Sequence, residues 1–213
     1  MSNIKNIKKR DMIEIFNKIL TYNFNSILDI GTGKHTDITK FFTKNNKELY
    51  SIDITKHFNY NHPNYHFIKG DFMTYKFNKK FDAILASHVM EHIQDTGIFL
   101  NKIYNLLNDN GIFFVIVPPY KNNIVGGHIS TGWNIGSLMY NLILTGFDVR
   151  NGRFKRIRYN IVGFVKKRKN KKLPKLTTGW YDIETLKDYF PDDPYFKPNF
   201  KGDMKSWNWF EED

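Results

Sequence analysis

Residues 26–33 read Ser-Ile-Leu-Asp-Ile-Gly-Thr-Gly, and this stretch decides the fold. A short apolar run that contains Asp29 breaks at Gly31 and Gly33, just before a helix-like segment that begins at Asp37. Glycine allows a tight turn and close approach of the backbone to a ligand because it has no Cβ. The order of strand, glycine turn and helix is typical of a nucleotide-binding α/β unit.

A second strand-like segment supports the same interpretation. Residues 49–52 form another apolar run, which ends in Asp53, 20 residues after Gly33. An acidic residue at about this distance, at the end of the second strand, is placed to accept hydrogen bonds from ribose hydroxyls. Together the two segments favour a site for a nucleotide-like ligand. The alternative is that Asp29 and Asp53 are unrelated aspartates at two strand ends.

These segments resemble the first motifs of class I S-adenosylmethionine-dependent methyltransferases, and later segments follow in that family's order. Residues 67–72 resemble the end of the third strand, residues 81–93 the fourth strand and its sequel, and residues 106–117 a helix end, a glycine and a fifth strand. The resemblance is strong over residues 25–120. The family usually has a third glycine where this chain has His35, so the cofactor turn is expected to be slightly displaced.

The resemblance implies a doubly wound, mostly parallel seven-stranded α/β sheet with an antiparallel C-terminal hairpin. It also implies S-adenosylmethionine as methyl donor and S-adenosylhomocysteine as product. Asp29 and the glycines would face the methionine portion, Asp53 the ribose, and Asp71 with Phe72 the adenine. The cofactor-binding residues carried over in this way are Asp29, Gly31, Thr32, Gly33, Asp53, Ile54, Asp71, Phe72 and Ser87.

The simplest organisation for 213 residues is one domain over 1–213. Helical spacing of apolar residues predicts an N-terminal helix over 7–21, and the cofactor-binding half is expected over 25–117. An acceptor-site loop, a helix stopped by Gly146 and a hairpin should follow over 118–168. The helix before the fifth strand is expected to end at Asn110-Gly111. The aromatic and proline-rich tail, 173–213, is expected to wrap the body as a lid or as the contact of a homodimer.

Composition narrows the class of partner. The chain has 32 basic and 21 acidic side chains, a net charge of +11, and no cysteine, so disulfides and thiolate metal sites are excluded. No apolar run approaches the ~20 residues of a membrane span, and the sequence predicts a cytoplasmic protein. The basic segment 166–175 is interpreted first as a solvated loop. An electrostatic funnel for a phosphate-bearing acceptor, a nucleic-acid contact and an anionic-lipid contact are its alternatives.

Candidate catalytic residues follow the predicted fourth and fifth strands. Methyl transfer to a hydroxyl is an in-line displacement that also requires removal of a proton. His128, in a loop with glycines and hydroxyls, is the first choice for general base because imidazole titrates near neutral pH. His88 is the second choice, and Tyr120 and Trp133 are the candidate acceptor-binding residues.

Two motif matches point to other chemistry. His88-x-x-Glu91-His92 matches the pattern of inverted zinc peptidases, but that hypothesis leaves the strand-end aspartates and the glycine turn unexplained. Val117-Pro118-Pro119-Tyr120 is similar to the Asn-Pro-Pro-Tyr motif of exocyclic-amine methyltransferases, but Val117 replaces the amine-binding Asn and the segment follows the fifth strand. Candidate metal ligands are too numerous and scattered for the sequence to select a set, so none is assigned and metal dependence stays open.

A finer resemblance concerns the acceptor. The segments 117–121, 124–128 and 133–134, followed by a Leu-rich helix and Gly146-Phe147-Asp148, resemble methyltransferases of bacterial surface-polysaccharide pathways. This resemblance implies O-methylation of a sugar or nucleotide sugar in capsule or surface-polysaccharide biosynthesis, with nucleic acid disfavoured as a partner. Two alternatives stay open: an RNA or protein methyltransferase that uses the basic segment, and a non-catalytic protein that binds S-adenosylmethionine.

Overall fold

The computed structural model of the protein describes residues 12–34, 36–123, 125–129, 132–168, 172–191 and 202–209. The predicted effect of His35 on the cofactor turn therefore lies outside the described residues. The same holds for residues 7–11 of the predicted N-terminal helix and for parts of the tail.

A single mixed sheet organises the described chain. Its strands run in the order β3-β2-β1-β4-β5-β7-β6-β8. Strands β1 to β5 are parallel to one another, whereas β7 is antiparallel to β5 and to β6, and β8 is antiparallel to β6. The strands are β1 Ser26–Ile30, β2 Glu48–Asp53, β3 Tyr65–Lys69, β4 Phe81–Ser87, β5 Leu107–Val117, β6 Phe147–Ile157, β7 Asn160–Lys167 and β8 Ser206–Trp207.

Helices cover both faces of the sheet. Residues 12–20 form the described part of α1, and the later helices are α2 Asp37–Lys44, α3 Thr96–Leu106, α4 Ile135–Thr145 and α5 Asp182–Thr185. The predicted helix before Gly146 is confirmed: Asn134 accepts from the Ser137 amide in a capping box, and Gly146 ends the helix with φ of 109°.

The apolar strands supply two cores. Ile27 belongs to a core shared with α1 and α2, whereas its neighbour Leu28 belongs to the core shared with α3 and α4. Successive strand residues point to opposite faces, and both faces are covered, so the strands read as continuous apolar runs. This arrangement confirms the predicted doubly wound, mostly parallel sheet with an antiparallel C-terminal hairpin.

Two boundaries differ from the predictions. Helix α3 ends at Leu106, not at Asn110-Gly111, because residues 107–110 already belong to β5, where the register between β4 and β5 shifts. The sheet has eight strands in the described part of the chain, not seven. The extra strand, β8, comes from the tail and pairs Ser206 and Trp207 with β6.

The described tail packs against the body. The Gly136 amide donates to the Gly202 carbonyl at 2.9 Å, and the Arg156 amide donates to the Lys205 carbonyl at 2.8 Å. Residues 202–207 therefore extend the sheet and contact the start of α4. In the chain as described, no helix is long and apolar enough to cross a membrane.

Candidate functional site

The carboxyl ends of the parallel strands bring the predicted cofactor residues to one edge of the sheet. Strand β1 lies between β2 and β4, with Ile30 paired to Ile52 on one side and to Ala86 on the other. The chain crosses from one half of the sheet to the other at this point, which is where ligands bind in doubly wound folds.

The turn after β1 requires glycine. Gly31 and Gly33 have φ of 71° and 64°, in the left-handed region that side chains with a Cβ avoid. The Gly31 amide donates to the Ile52 carbonyl at 2.9 Å, and the Gly33 amide donates to Oδ2 of Asp53 at 2.9 Å. The glycine turn and the end of β2 thus form one hydrogen-bonded unit.

We expect Gly31→Ala to weaken cofactor binding and lower the melting temperature. An ideal Cβ on Gly31 would lie 2.6 Å from Cγ2 of Val89, a stiff side chain. The left-handed backbone adds a cost of about 1–2 kcal/mol. Thermal unfolding and cofactor titration of Gly31→Ala, Val89→Ala and the double variant should show partial recovery in the double variant, because only the clash is relieved.

Gly97→Ala is the matched control for this prediction. Gly97 lies in α3, and nothing is within 4 Å of its ideal Cβ. Alanine is the better helix former, so Gly97→Ala should be neutral or stabilising. Equal effects of Gly31→Ala and Gly97→Ala would contradict the packing described for the turn.

Asp29 is a buried carboxyl beside the turn. Its side chain is 1% exposed, and burial raises its pKa from 3.8 to about 7, with a smaller lowering effect of the nearby Thr32 hydroxyl and a raising effect of the charge on Asp53. Within the described residues, Oδ2 of Asp29 and Oγ1 of Thr32 have no hydrogen-bond partner. Buried polar atoms that lack hydrogen-bond partners mark a place where a bound ligand can supply those partners.

The raised pKa of Asp29 makes the stability of the free protein depend on pH. The unfolded chain releases this proton near pH 3.8, whereas the folded protein keeps it until about pH 7. The stabilisation is therefore present below pH 4, is lost as the pH rises to about 7, and amounts to roughly 4 kcal/mol at about 1.4 kcal/mol for each pKa unit. Asp29→Asn should lack this loss.

Thermal melts without cofactor, at pH 5 and pH 8.5, test this prediction. Asp29→Asn should gain melting temperature relative to the native protein on going to the higher pH. A difference between the two proteins that stays constant with pH would show that Asp29 titrates normally.

The residues predicted to hold the adenine, Asp71 and Phe72, follow β3 and differ in their surroundings. Asp71 follows β3, and its Oδ1 accepts from the Met73 amide at 2.8 Å. The Phe72 ring is only 7% exposed and packs edge-on against Phe99 at 5.3 Å, so it belongs mainly to the core. Ile54 is 70% exposed directly after Asp53 and offers an apolar surface.

His88 follows Ser87, the last residue of β4, in a left-handed conformation with φ of 55°, which is uncommon for a residue with a side chain. Its Nδ1 lies 3.2 Å from Oε1 of the buried Glu91, and its Nε2 lies 2.9 Å from Oδ1 of Asn160. Both ring nitrogens of His88 therefore have hydrogen-bond partners, which fix the position of the ring. Asn160 had no signal in the sequence because it lies 72 positions away.

The zinc-peptidase interpretation of residues 88–92 lacks its structural context. That motif needs both histidines on one face of a helix, but the helical residues here are only Met90–His92, in a 3₁₀-helix, and His88 precedes them. The ring of His88 points to Glu91 and Asn160 instead.

A small pocket at the carboxyl end of β5 includes His128, the predicted base. Tyr120 is 62% exposed beside it, whereas Trp133 is 7% exposed and lies in the core. Trp133 was predicted as an acceptor-binding residue, but its burial leaves little of the ring available. The described lining residues are Pro118, Pro119, Lys121, Asn123, Val125, His128 and Gly132.

The described basic residues at the end of β7 lie at the opposite edge of the sheet. Lys166 pairs with Ile112 near the start of β5, whereas Ile161 pairs with Val117 at its end. Lys167 donates to the Leu107 carbonyl at 3.0 Å, and the Arg168 guanidinium lies 4.6 Å from the Tyr189 ring centre. These three side chains therefore cannot form a funnel into the cofactor edge.

Comparison with known proteins defines the class. A family model described as "Methyltransferase domain" matches residues 5–140. The chain belongs to this family of methyltransferase domains, in agreement with the fold and with the glycine turn at the end of β1.

Individual relatives agree with the family. Over 60 residues the chain is 35% identical to a ubiquinone biosynthesis O-methyltransferase of Azorhizobium caulinodans. The matched region covers 26% of this chain and 24% of that protein. It is also 29% identical over 111 residues to a probable polyketide synthase 27 of Dictyostelium discoideum, covering 52% of this chain and 4% of that protein. The chain thus spans a quarter or less of the length of these curated relatives.

Solved structures share the fold. A 1,6-didemethyltoxoflavin-N1-methyltransferase of Burkholderia thailandensis, with bound S-adenosylhomocysteine, superposes with a TM-score of 0.60 at 15% identity, over 76% of this chain and 78% of that chain. The N-methyltransferase NodS of Bradyrhizobium japonicum superposes with a TM-score of 0.61 at 12% identity, over 77% and 98%.

Proposed function

We propose that this protein transfers a methyl group from S-adenosylmethionine to a hydroxyl of a sugar or nucleotide sugar, as in surface-polysaccharide biosynthesis. The observation that carries the cofactor assignment is the left-handed glycine turn at the end of β1, joined to the Asp53 carboxylate by a hydrogen bond of 2.9 Å. Membership in the methyltransferase-domain family supports the reaction type.

The residues at the strand ends suit such a cofactor. Asp53 would bind the ribose hydroxyls through its carboxylate, and the unpartnered oxygens of Asp29 and Thr32 would accept or donate hydrogen bonds at the methionine end. Asp71 would accept from the adenine amino group, with Ile54 as an apolar cover and only the edge of Phe72 in reach. The cofactor supplies a methyl group made electrophilic by its sulfonium sulfur.

The side chains that line the pocket at the carboxyl end of β5 suit an anionic, hydroxyl-bearing acceptor. Lys121 and His128 line the same pocket, and Lys121 Nζ also lies 4.6 Å from the Tyr159 ring centre. A nucleotide sugar brings phosphates for a lysine and hydroxyls for methylation. Tyr120, exposed beside the pocket, offers an aromatic face for the acceptor, and Ser87 ends the neighbouring strand β4.

His128 is the proposed general base. No described residue forms a hydrogen bond with its ring, whereas both nitrogens of His88 are engaged. An imidazole with an available nitrogen can accept the proton that the acceptor hydroxyl loses as its oxygen bonds to the methyl carbon. His88 then serves to hold the Ser87–Glu91 segment through Glu91 and Asn160.

A mass-spectrometric assay tests the proposal. Purified protein would be incubated with S-adenosylmethionine and a pool of nucleotide-linked hexoses and heptoses. We expect one product heavier by a methylene group, together with an equal amount of S-adenosylhomocysteine. Binding of S-adenosylhomocysteine without any product would refute the sugar acceptor. It would favour an RNA or protein acceptor, or a non-catalytic role.

A further inference from the structure

Three side chains with metal-binding atoms meet next to the acceptor pocket. A carboxylate oxygen of Glu91, a ring nitrogen of His92 and a ring nitrogen of His128 all lie within 4.8 Å of one another. His128 is 36 residues from His92 in the chain, so the fold alone brings the three together. The rings of the two histidines meet nearly at right angles, with their centres 5.1 Å apart.

The surrounding hydrogen bonds prepare these atoms for a ligand. Nδ1 of His92 lies 2.6 Å from the Gly127 carbonyl oxygen, an acceptor only, so Nδ1 carries the proton and Nε2 keeps its lone pair. Metal-binding histidines in proteins commonly donate their second nitrogen to a backbone carbonyl in this way.

Glu91 provides an independent indication of a missing partner. The side chain is 1% exposed, and Oε1 lies 3.2 Å from Nδ1 of His88, but Oε2 has no hydrogen-bond partner among the described residues. A buried carboxylate oxygen without a partner is costly, and a cation bound to it would remove that cost. In such a site, His88 would not bind the metal itself but would orient the Glu91 carboxylate that does.

The loop that carries His128 is tied to the same segment. The Ile129 amide donates to the Glu91 carbonyl at 2.8 Å, and the His128 amide donates to the Val125 carbonyl at 3.0 Å. A tetrahedral metal with ligand bonds of about 2.0–2.1 Å needs ligand atoms about 3.3 Å apart. The atoms lie within 4.8 Å of one another, so the three side chains are close enough for a shared ion after modest adjustment.

We propose that Glu91, His92 and His128 form a binding site for one divalent transition-metal ion of the Zn²⁺ or Co²⁺ type. Two imidazoles and one carboxylate are a donor set that such ions prefer over Mg²⁺ or Ca²⁺, which favour oxygen ligands. A nitrogen that binds metal has no lone pair left for a proton. Metal occupancy and the base role proposed for His128 therefore exclude each other, and the ion is expected to suppress methyl transfer.

Calorimetric titration of Zn²⁺ and Co²⁺ into tag-free, metal-stripped protein tests the site. We expect one ion per chain, visible absorption bands from bound Co²⁺, and at least tenfold weaker binding in His92→Ala and in His128→Ala. His57→Ala is the matched control, because His57 is an exposed histidine outside the site, and it should bind metal like the native protein.

Parallel titrations with S-adenosylhomocysteine separate this proposal from the proposed function. His92→Ala should bind S-adenosylhomocysteine normally, which would also show that the variant is folded. No metal binding by the native protein, or equal metal affinity in His92→Ala, His128→Ala and His57→Ala, would overturn the metal site and leave the cofactor assignment untouched.

Discussion

His128→Ala is expected to lower the turnover of methyl transfer by roughly 100- to 10,000-fold, the usual contribution of a general base. Its affinity for S-adenosylmethionine should stay unchanged, because His128 lines the acceptor pocket and not the glycine turn. Turnover would be measured with the acceptor identified by mass spectrometry, in the presence of a chelator, so that a metal ion bound by His128 does not enter the comparison.

A histidine outside the pocket separates the loss of the base from a general effect of removing an imidazole. His57→Ala serves again as the control and should match the native rate. Normal turnover in His128→Ala would exclude this residue as the base.

Asp53→Ala should weaken the binding of S-adenosylmethionine by roughly 1.5–3 kcal/mol, since two hydrogen bonds from the ribose to a charged group are lost. This corresponds to an affinity about 10- to 150-fold lower. The carboxylate also stabilises the backbone around it, because Oδ2 accepts from the Gly33 amide and Oδ1 accepts from the Thr55 amide at 3.0 Å. Calorimetric titration with S-adenosylhomocysteine measures the effect.

Asp148→Ala provides a matched control for Asp53→Ala. The Asp148 carboxylate also accepts hydrogen bonds from a nearby residue, Asn151, but it lies near the start of β6, at the edge of the sheet away from the glycine turn. Its removal should leave cofactor affinity unchanged. Equal binding by Asp53→Ala and the native protein would refute the assignment of the ribose site.

The cofactor edge could be predicted from the sequence because its signals are local. Gly31 and Gly33 mark a turn that only glycine adopts easily, and Asp53 ends an apolar run at a spacing set by one strand, one helix and the next strand. The helix stopped by Gly146 and the hairpin over β6 and β7 were predicted for the same reason. In each case a few consecutive residues determine the backbone.

Local signals were weaker where the backbone could continue in either of two ways. Asn110-Gly111 is a common helix end, yet α3 ends at Leu106 because Leu107 already pairs with Phe81 of β4. Residues 108–111 lie in the register shift before Ile112 pairs with Ala83. The burial of individual side chains could not be predicted from local sequence either. Trp133 follows a polar loop in the sequence, but the fold turns its ring into the core, and the tail adds a strand through pairing with β6.

Local patterns were enough to predict the class of the protein, the doubly wound sheet and the candidate strand-end residues of the cofactor site. The folded chain alone shows which distant residues meet: His88 with Asn160, Glu91 and His92 with His128, and the end of β7 with the start of β5. This difference follows from the range of the interactions. Turns and strand periodicity depend on neighbouring residues, whereas contacts between residues 36 or 72 positions apart exist only after the sheet has aligned its strand ends.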